Sequence, residues 1–301
     1  MRSWPLPPIG LLIFMLLAML LAPRLTAAVL PARPGEAGSG SAAGIRWEKS
    51  FKSALKKARA EGRPLLVDFW ADWCHWCHEL DATTYRDPAV VAAAAAFVPV
   101  KVNTEGSLGE KQISADYRVE TLPTIAFLSP RGRVVLVRER FEDPAAFART
   151  LEAARAAAAE VMSWEDALSR DDDDPVALAR LGAHLFAQRR LDESRKLLER
   201  ATRHDAARPV GERKHTRVLL GAIQARAERY GDSEKLLESA LALQPADAAE
   251  DAAALFHLGE DYAKEGRVEA ARAAWTKATA TAPPDAPIAV EARQQLEKLP
   301  R

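Results

Sequence analysis

Cysteine is nearly absent from this chain: its 301 residues hold two, Cys74 and Cys77. A bond between them would close a loop of only two residues. Such a loop constrains the unfolded chain very little, so a stabilising disulfide framework is excluded and reactivity is the better reason for the pair. An excess of one charge is absent too. Lys and Arg number 42, as do Asp and Glu, so no global field directs the chain to nucleic acid or to an anionic membrane surface. The apolar run Ile9 to Ala22 falls short of the ~18 to 20 residues of a spanning helix. Arg2 precedes it, Pro23 and Thr26-Ala27-Ala28 follow it, and no cysteine stands behind it to take a lipid. Residues 1–28 therefore read as a signal peptide, with the mature chain starting at Val29 in an exported, bacterial periplasmic protein. An uncleaved N-terminal membrane anchor is the alternative.

What the chain does have is concentrated between Leu65 and Leu80. Two thiols spaced C-x-x-C can exchange disulfides, hold half a zinc site, or anchor a c-type haem when a histidine follows, as His78 does here. Upstream, Leu65 to Trp70 is a short apolar run set off by Gly62 and Pro64, the pattern of a strand buried on both faces. Asp68 interrupts it, either as a solvated carboxylate at a strand edge or as a buried one with a raised pKa that takes and returns a proton. Downstream, His78 to Tyr85 is compatible with a helix, which puts Cys74 at its N-terminus and Cys77 one turn inside. Free backbone N–H groups and the helix dipole favour a thiolate there, so Cys74 is expected to attack and Cys77 to resolve. His75 is either an exposed helix residue or a positive group that lowers the thiol pKa. His78 reads as exposed, Trp70 and Trp73 as walls shielding the thiols, and Trp76 as an exposed contact for a client.

The run Val67-Asp68-Phe69-Trp70-Ala71-Asp72-Trp73-Cys74, followed by Cys77, resembles the active-site signature of the thioredoxin family. Thr121-Leu122-Pro123-Thr124 is similar to the loop where that family carries a cis-proline facing its cysteines, and Lys101 stands where the family often keeps a lysine near its buried acid. With Asp87-Pro88, the stretch is similar to the periplasmic C-terminal domain of the membrane disulfide reductase. The resemblance implies an α/β thioredoxin-like sandwich over residues 46–161, a redox disulfide Cys74–Cys77, catalytic Cys74, Cys77, Asp68 and Pro123, and supporting Trp73, His75 and Lys101. His75-Trp76 departs from both the Gly-Pro of cytosolic thioredoxin and the Pro-His of periplasmic oxidants.

The other segments fit that order. Residues 29–45 are a Pro-, Gly- and Ser-rich linker, and Trp47 to Ala60 is expected as a helix ended by Gly62. Asp87-Pro88 opens a helix over Ala89 to Ala95, and Phe97 to Val102 is a parallel strand paired from about Val100, since Pro99 cannot donate. Ser107 to Tyr117 is a helix, Ile125 to Leu128 and Arg133 to Val137 form a hairpin, and Phe141 to Ala158 is the closing helix. Residues 162–174 read as an acidic linker, its four aspartates Asp171 to Asp174 solvated rather than metal-binding.

From residue 175 to 301 strand signals vanish. Leu181-Gly182, Leu220-Gly221 and Leu258-Gly259 recur at 39 and 38 residues, with Leu198, Leu237 and Trp275, then Ala201, Ala240 and Ala278, in step. The pattern resembles the tetratricopeptide repeat, with Pro287 to Leu299 as a capping helix, and implies an all-α solenoid that folds as a separate unit. The expected partners are client proteins with disulfides, an electron donor or acceptor, and a protein bound by the repeats; nucleic acid, metal and cofactor are not expected. A repeat-based adaptor with an accessory redox domain, or a c-type haem protein, is the alternative.

Overall fold

The computed structural model describes residues 44–204, 206 and 208–299, so the signal-peptide reading and nearly all of the expected linker 29–45 lie outside the described residues. The first half is a sheet between helices. Its elements are α1 (Phe51–Glu61), β1 (Leu65–Trp70), α2 (His75–Ala82), a 3-10 turn (Thr84–Arg86), α3 (Pro88–Ala94), β2 (Val98–Asn103), α4 (Leu108–Asp116), β3 (Thr124–Leu128), β4 (Val134–Arg138) and α5 (Pro144–Arg170). The strands lie in the order β2-β1-β3-β4, with β1 parallel to β2 and the other neighbours antiparallel. Strand alternation sorts the core into two layers. Leu65, Val67, Phe69, Val98, Val100 and Val102 pack against α1 and α4, whereas Leu66, Ile125 and Phe127 pack against α2, α3 and α5. Asp68 shares the second face.

Capping explains most boundaries. Ser50 and Ser53 form a capping box that starts α1 four residues later than expected, because Glu48 N–H is already given to Pro99 O at 2.8 Å. Gly62 closes that helix at φ +63°, the left-handed conformation glycine adopts without penalty. Asp87 caps α3 and Asp143 caps α5, each followed by proline in the first turn. Pairing of β2 begins at Val98, ahead of the expected Val100, because Pro99 turns its missing donor to the sheet's outer edge while Val98 donates to Pro64 O.

The second half is helical throughout: α6 (Pro175–Ala187), α7 (Leu191–Arg203), α8 (Val210–Arg226), α9 (Tyr230–Ala242), α10 (Ala248–Lys264), α11 (Val268–Thr281) and α12 (Pro287–Lys298). The recurring glycines are where paired helices touch. A Cβ on Gly182 would lie 2.6 Å from Leu198, on Gly221 2.8 Å from Leu237, and on Gly259 2.4 Å from the Trp275 indole.

The junction differs from the expected linker. α5 runs unbroken to Arg170, and Glu165 on it is buried against Ser129 Oγ at 3.0 Å and Arg133 at 3.1 Å. Only 171–174 turn, with Asp174 capping α6 and Asp173 pairing with Arg200 at 2.9 Å. Leu181 and Leu185 of α6 belong to the same core cluster as Phe127 and Phe147. The repeats are thus not a separate unit at their first helix; their apolar face completes the core of the sandwich.

Candidate functional site

Cys74 is the N-cap of α2, its Sγ accepting the Cys77 N–H at 3.2 Å. It is joined to Cys77 by a disulfide with Cα atoms 5.3 Å apart. Cys77 is fully buried and Cys74 nearly so, while His75 and His78 beside them are exposed. The expected wall of tryptophans is only half present. Trp70 is partly buried, but Trp73 is 66% exposed, its indole N–H donating to Glu105 at 2.7 Å, and Trp76 is 53% exposed against Phe141. His78 Nε2 donates to the Asp72 carbonyl at 2.8 Å.

Asp68 is wholly buried on a strand with neighbours on both sides, so the solvated-edge reading does not hold. Sheet register places Lys101 directly opposite it, with Nζ 2.9 Å from the carboxylate. Neither carboxylate oxygen has a hydrogen-bond partner of good geometry, so the contact is ionic. The same ammonium meets Asp81 at 2.6 Å and lies over the rings of Trp47, Trp70 and Tyr85 at 5.2, 5.5 and 5.4 Å. One cation therefore ties the strand bearing the buried acid to the helix bearing the thiols.

Burial pushes the Asp68 carboxyl above its usual range, and the Lys101 charge only partly restrains it. Burial also pushes the Tyr85 phenol well up, with the Asp68 charge adding to it. For Lys101, burial pulls the other way, yet the Asp68 charge and the contacts to Asp68 and Asp81 hold the ammonium's pKa above its usual value. Such a carboxyl is suited to taking a proton from a thiol and returning it, and Asp81, 40% exposed, leads from the pair toward water.

The Leu122–Pro123 bond is cis. Thr124 pairs with Phe69, which sets the Pro123 loop at the end of the sheet where β1 gives way to the disulfide. Asp68, Cys74, Cys77, Lys101 and Pro123 are thus gathered at one end of the sheet or on the strand beneath it. Asp81, Tyr85 and Trp47 were missed in the sequence. Asp81 had a signal, standing one turn beyond Cys77 on the same helix. Tyr85 and Trp47 had none, since only the packed sheet carries them to Lys101. Among the described residues, no group of three or more His, Cys, Asp or Glu could hold a metal ion.

Residues 46–130 match a family model described as Thioredoxin-like. Among curated proteins, the "Thiol:disulfide interchange protein DsbD" of Vibrio vulnificus (strain CMCP6) is 33% identical over 92 residues, 30% of this chain and 16% of that protein. The chain spans about a sixth of the length of the curated relatives it matches. Among solved structures, the C-terminal domain of Neisseria meningitidis DsbD in its oxidised form is 22% identical with a TM-score of 0.33, covering 37% of this chain and 99% of that one. MamA from Desulfovibrio magneticus RS-1 is 20% identical with a TM-score of 0.39, covering 49% of this chain and 76% of that one. The chain carries a thioredoxin-like domain, whose Cys74–Cys77 pair fits thiol–disulfide redox chemistry, followed by a helical repeat region.

Proposed function

We propose that the protein is an exported thiol–disulfide oxidoreductase that reduces client protein disulfides through Cys74 and Cys77. One observation carries this reading: the disulfide caps a helix N-terminus at the end of a strand that buries an acid with a single ionic partner. In the reduced form, the Cys74 thiolate attacks one sulfur of a client disulfide, and the other client sulfur leaves as a thiolate that takes up a proton. Cys77 gives its proton to Asp68, attacks the Cys74 sulfur of the mixed disulfide and releases the second client thiol. Two electrons have then passed to the client and Cys74–Cys77 is oxidised; a dithiol donor outside this chain restores it. In the reduced form the helix N-terminus favours a thiolate at Cys74. The periplasm and the reducing direction are supported by the signal-like segment 1–28 and by the likeness to DsbD. The repeats are read as holding a client or a protein partner.

The test is covalent trapping in the full chain. Cys77→Ala is expected to accumulate client mixed disulfides through Cys74 that dithiothreitol dissolves, and Cys74→Ala to accumulate none. Equal trapping by both variants overturns the assigned order, and trapping by neither overturns exchange with protein disulfides.

A further inference from the structure

A cleft of about 960 Å³ lies between the sandwich and the first helical pair. That is at the upper end of the ~300 to 1,000 Å³ usual for ligand sites. One wall is β4 with the chain running to Arg140, and the other is the α6–α7 turn with the end of α8. β4 has a strand neighbour on one side only, and its Val134, Val137 and Arg138 line this space. Thr124, next to Pro123, lines the cleft, and Arg138 pairs with Ile125. The cleft therefore opens at the disulfide end of the sheet and runs back along β4 to Val134.

Six arginines line it: Arg118, Arg138, Arg140, Arg189, Arg190 and Arg226. Two glutamates, Glu120 and Glu139, are on its walls. Three of the arginines are paired, Arg118 with Asp192 at 3.7 Å, Arg138 with Glu142 at 3.5 Å and Arg190 with Glu193 at 2.8 Å. The Arg118–Asp192 pair is exposed on both sides, the kind worth only ~0 to 1 kcal/mol, so a carboxylate from outside can take the place of Asp192. Arg226 is held by the Ala222 carbonyl and the Phe186 ring, and Arg140 and Arg189 have no ion pair among the described residues. A guanidinium offers five donors in a fixed fork, the shape that accepts a carboxylate side-on.

Backbone conformation fixes where two of these arginines stand. Arg118 and Arg189 stand at φ +57° and +58°, the left-handed region that favours glycine. The helix-ending position that Arg189 holds is Glu228 at φ +58° in the second repeat and Gly266 at φ +76° in the third, so the conformation belongs to the repeat turn. In the repeat that faces the redox domain an arginine occupies it at a steric cost, and its carbonyl accepts Arg118 across the cleft at 3.4 Å.

We propose that this cleft seats an extended, acidic segment of the client polypeptide, next to the client disulfide that meets Cys74. The inference rests on the oxidoreductase reading for the word client, but the seat itself is tested by binding alone. An extended chain suits an open strand edge, and acidic side chains suit the arginines on both walls. Adjacent wall charges also steer encounter, so the preference falls as salt rises.

The full chain is titrated with a short labelled peptide carrying aspartates and glutamates beside one disulfide, and with a matched peptide carrying serine and glutamine instead. The acidic peptide is expected to bind about tenfold more tightly at low salt, a margin of the size two or three rim charges supply. The double variant Arg140→Gln/Arg189→Gly is expected to lose that margin; glycine at 189 suits the backbone, so the fold is kept, and an unchanged circular dichroism melt checks it. Arg149→Gln, an exposed arginine outside the cleft, is expected to leave the margin in place. Equal binding of the two peptides, or a margin that survives in the double variant, overturns the proposal. An oligonucleotide of the same charge binding as well as the acidic peptide overturns the assignment to polypeptide. If the acidic peptide binds as expected but no peptide disulfide is ever reduced, the seat stands and the oxidoreductase reading fails.

Discussion

In the helical repeats one contact is made three times, Gly182 on Leu198, Gly221 on Leu237 and Gly259 on Trp275, each between neighbouring helices at the same spacing. In the redox site every contact is made once, by residues from β1, α2, β2 and the turn after α2 that lie far apart in the chain. The first arrangement spreads its stability over units that depend mainly on their neighbours. The second has no spare part: among the described residues Lys101 is the one cation paired with Asp68, and Cys74 caps α2. The two regions meet at α5 and α6, where Leu181 and Leu185 sit in the sandwich core.

That junction is the place to break the comparison with the largest effect. A fragment beginning at Pro175 bares Leu181 and Leu185, each worth roughly 1.5 to 3 kcal/mol when buried. It is expected to melt well below a fragment beginning at Pro144, which keeps the α5 face; thermal circular dichroism of the two decides. Equal melting would restore the repeats as an independent unit.

Asp68→Asn tests the one-of-a-kind side. Removing a general base of this sort is expected to slow exchange by about 10²-fold near neutral pH, read from single-turnover kinetics. Its effect on stability has the opposite sign. Because the folded pKa lies above the ordinary 3.8, the native state binds the proton more tightly than the unfolded chain. Stability therefore falls as pH rises from 3.8 through the raised value, and the Asn variant gains on the natural protein over that window. Denaturant midpoints against pH check it, and a variant that loses ground there would mean that the Lys101 pair outweighs burial.

Gly259→Val sharpens the repeated side. Its side chain would meet the Trp275 indole, and overpacking of this kind costs ~1 to 3 kcal/mol. The melt of the helices is expected to drop while the exchange rate stays the same, since the contact lies in the last helical pair. A fall in exchange as well would show that the repeats act on the site as a whole.

The smallest effect is expected at His184, which donates from Nε2 to the Val134 carbonyl at 3.1 Å across the junction. Burial lowers its pKa below the usual 6.5, so the unfolded state binds the proton better just below that value. Stability is lost as pH falls from 6.5 through the lowered pKa, and His184→Gln is expected to flatten that slope by less than about 1 kcal/mol. An unaltered slope would assign it to other groups.

Legibility followed distance along the chain. Cys74 at a helix N-terminus, the caps Asp87 and Asp143, the glycine stop at Gly62 and the glycine–leucine pairing of the repeats are each set by residues within a turn or a helix pair, and their spacing reads directly. Asp68 stayed open between surface and core, because one strand does not say how many strands flank it. Trp73 was read as a wall, yet nothing local shows which way a side chain at the end of a strand turns, and Glu105 draws it outward.

By itself, the amino-acid sequence determined the element order, the position of the thiol pair and the repeat register, since helix capping and apolar periodicity act between near neighbours. Lys101 was expected near the acid by resemblance, but tertiary structure alone set Asp81 and three aromatic rings around the pair. It also decided that α5 runs on into the repeats and that an arginine-lined cleft lies between the halves. These depend on strand register and on surfaces brought together from distant segments, and a buried charge or an open strand edge acquires its chemistry only from what the fold sets against it.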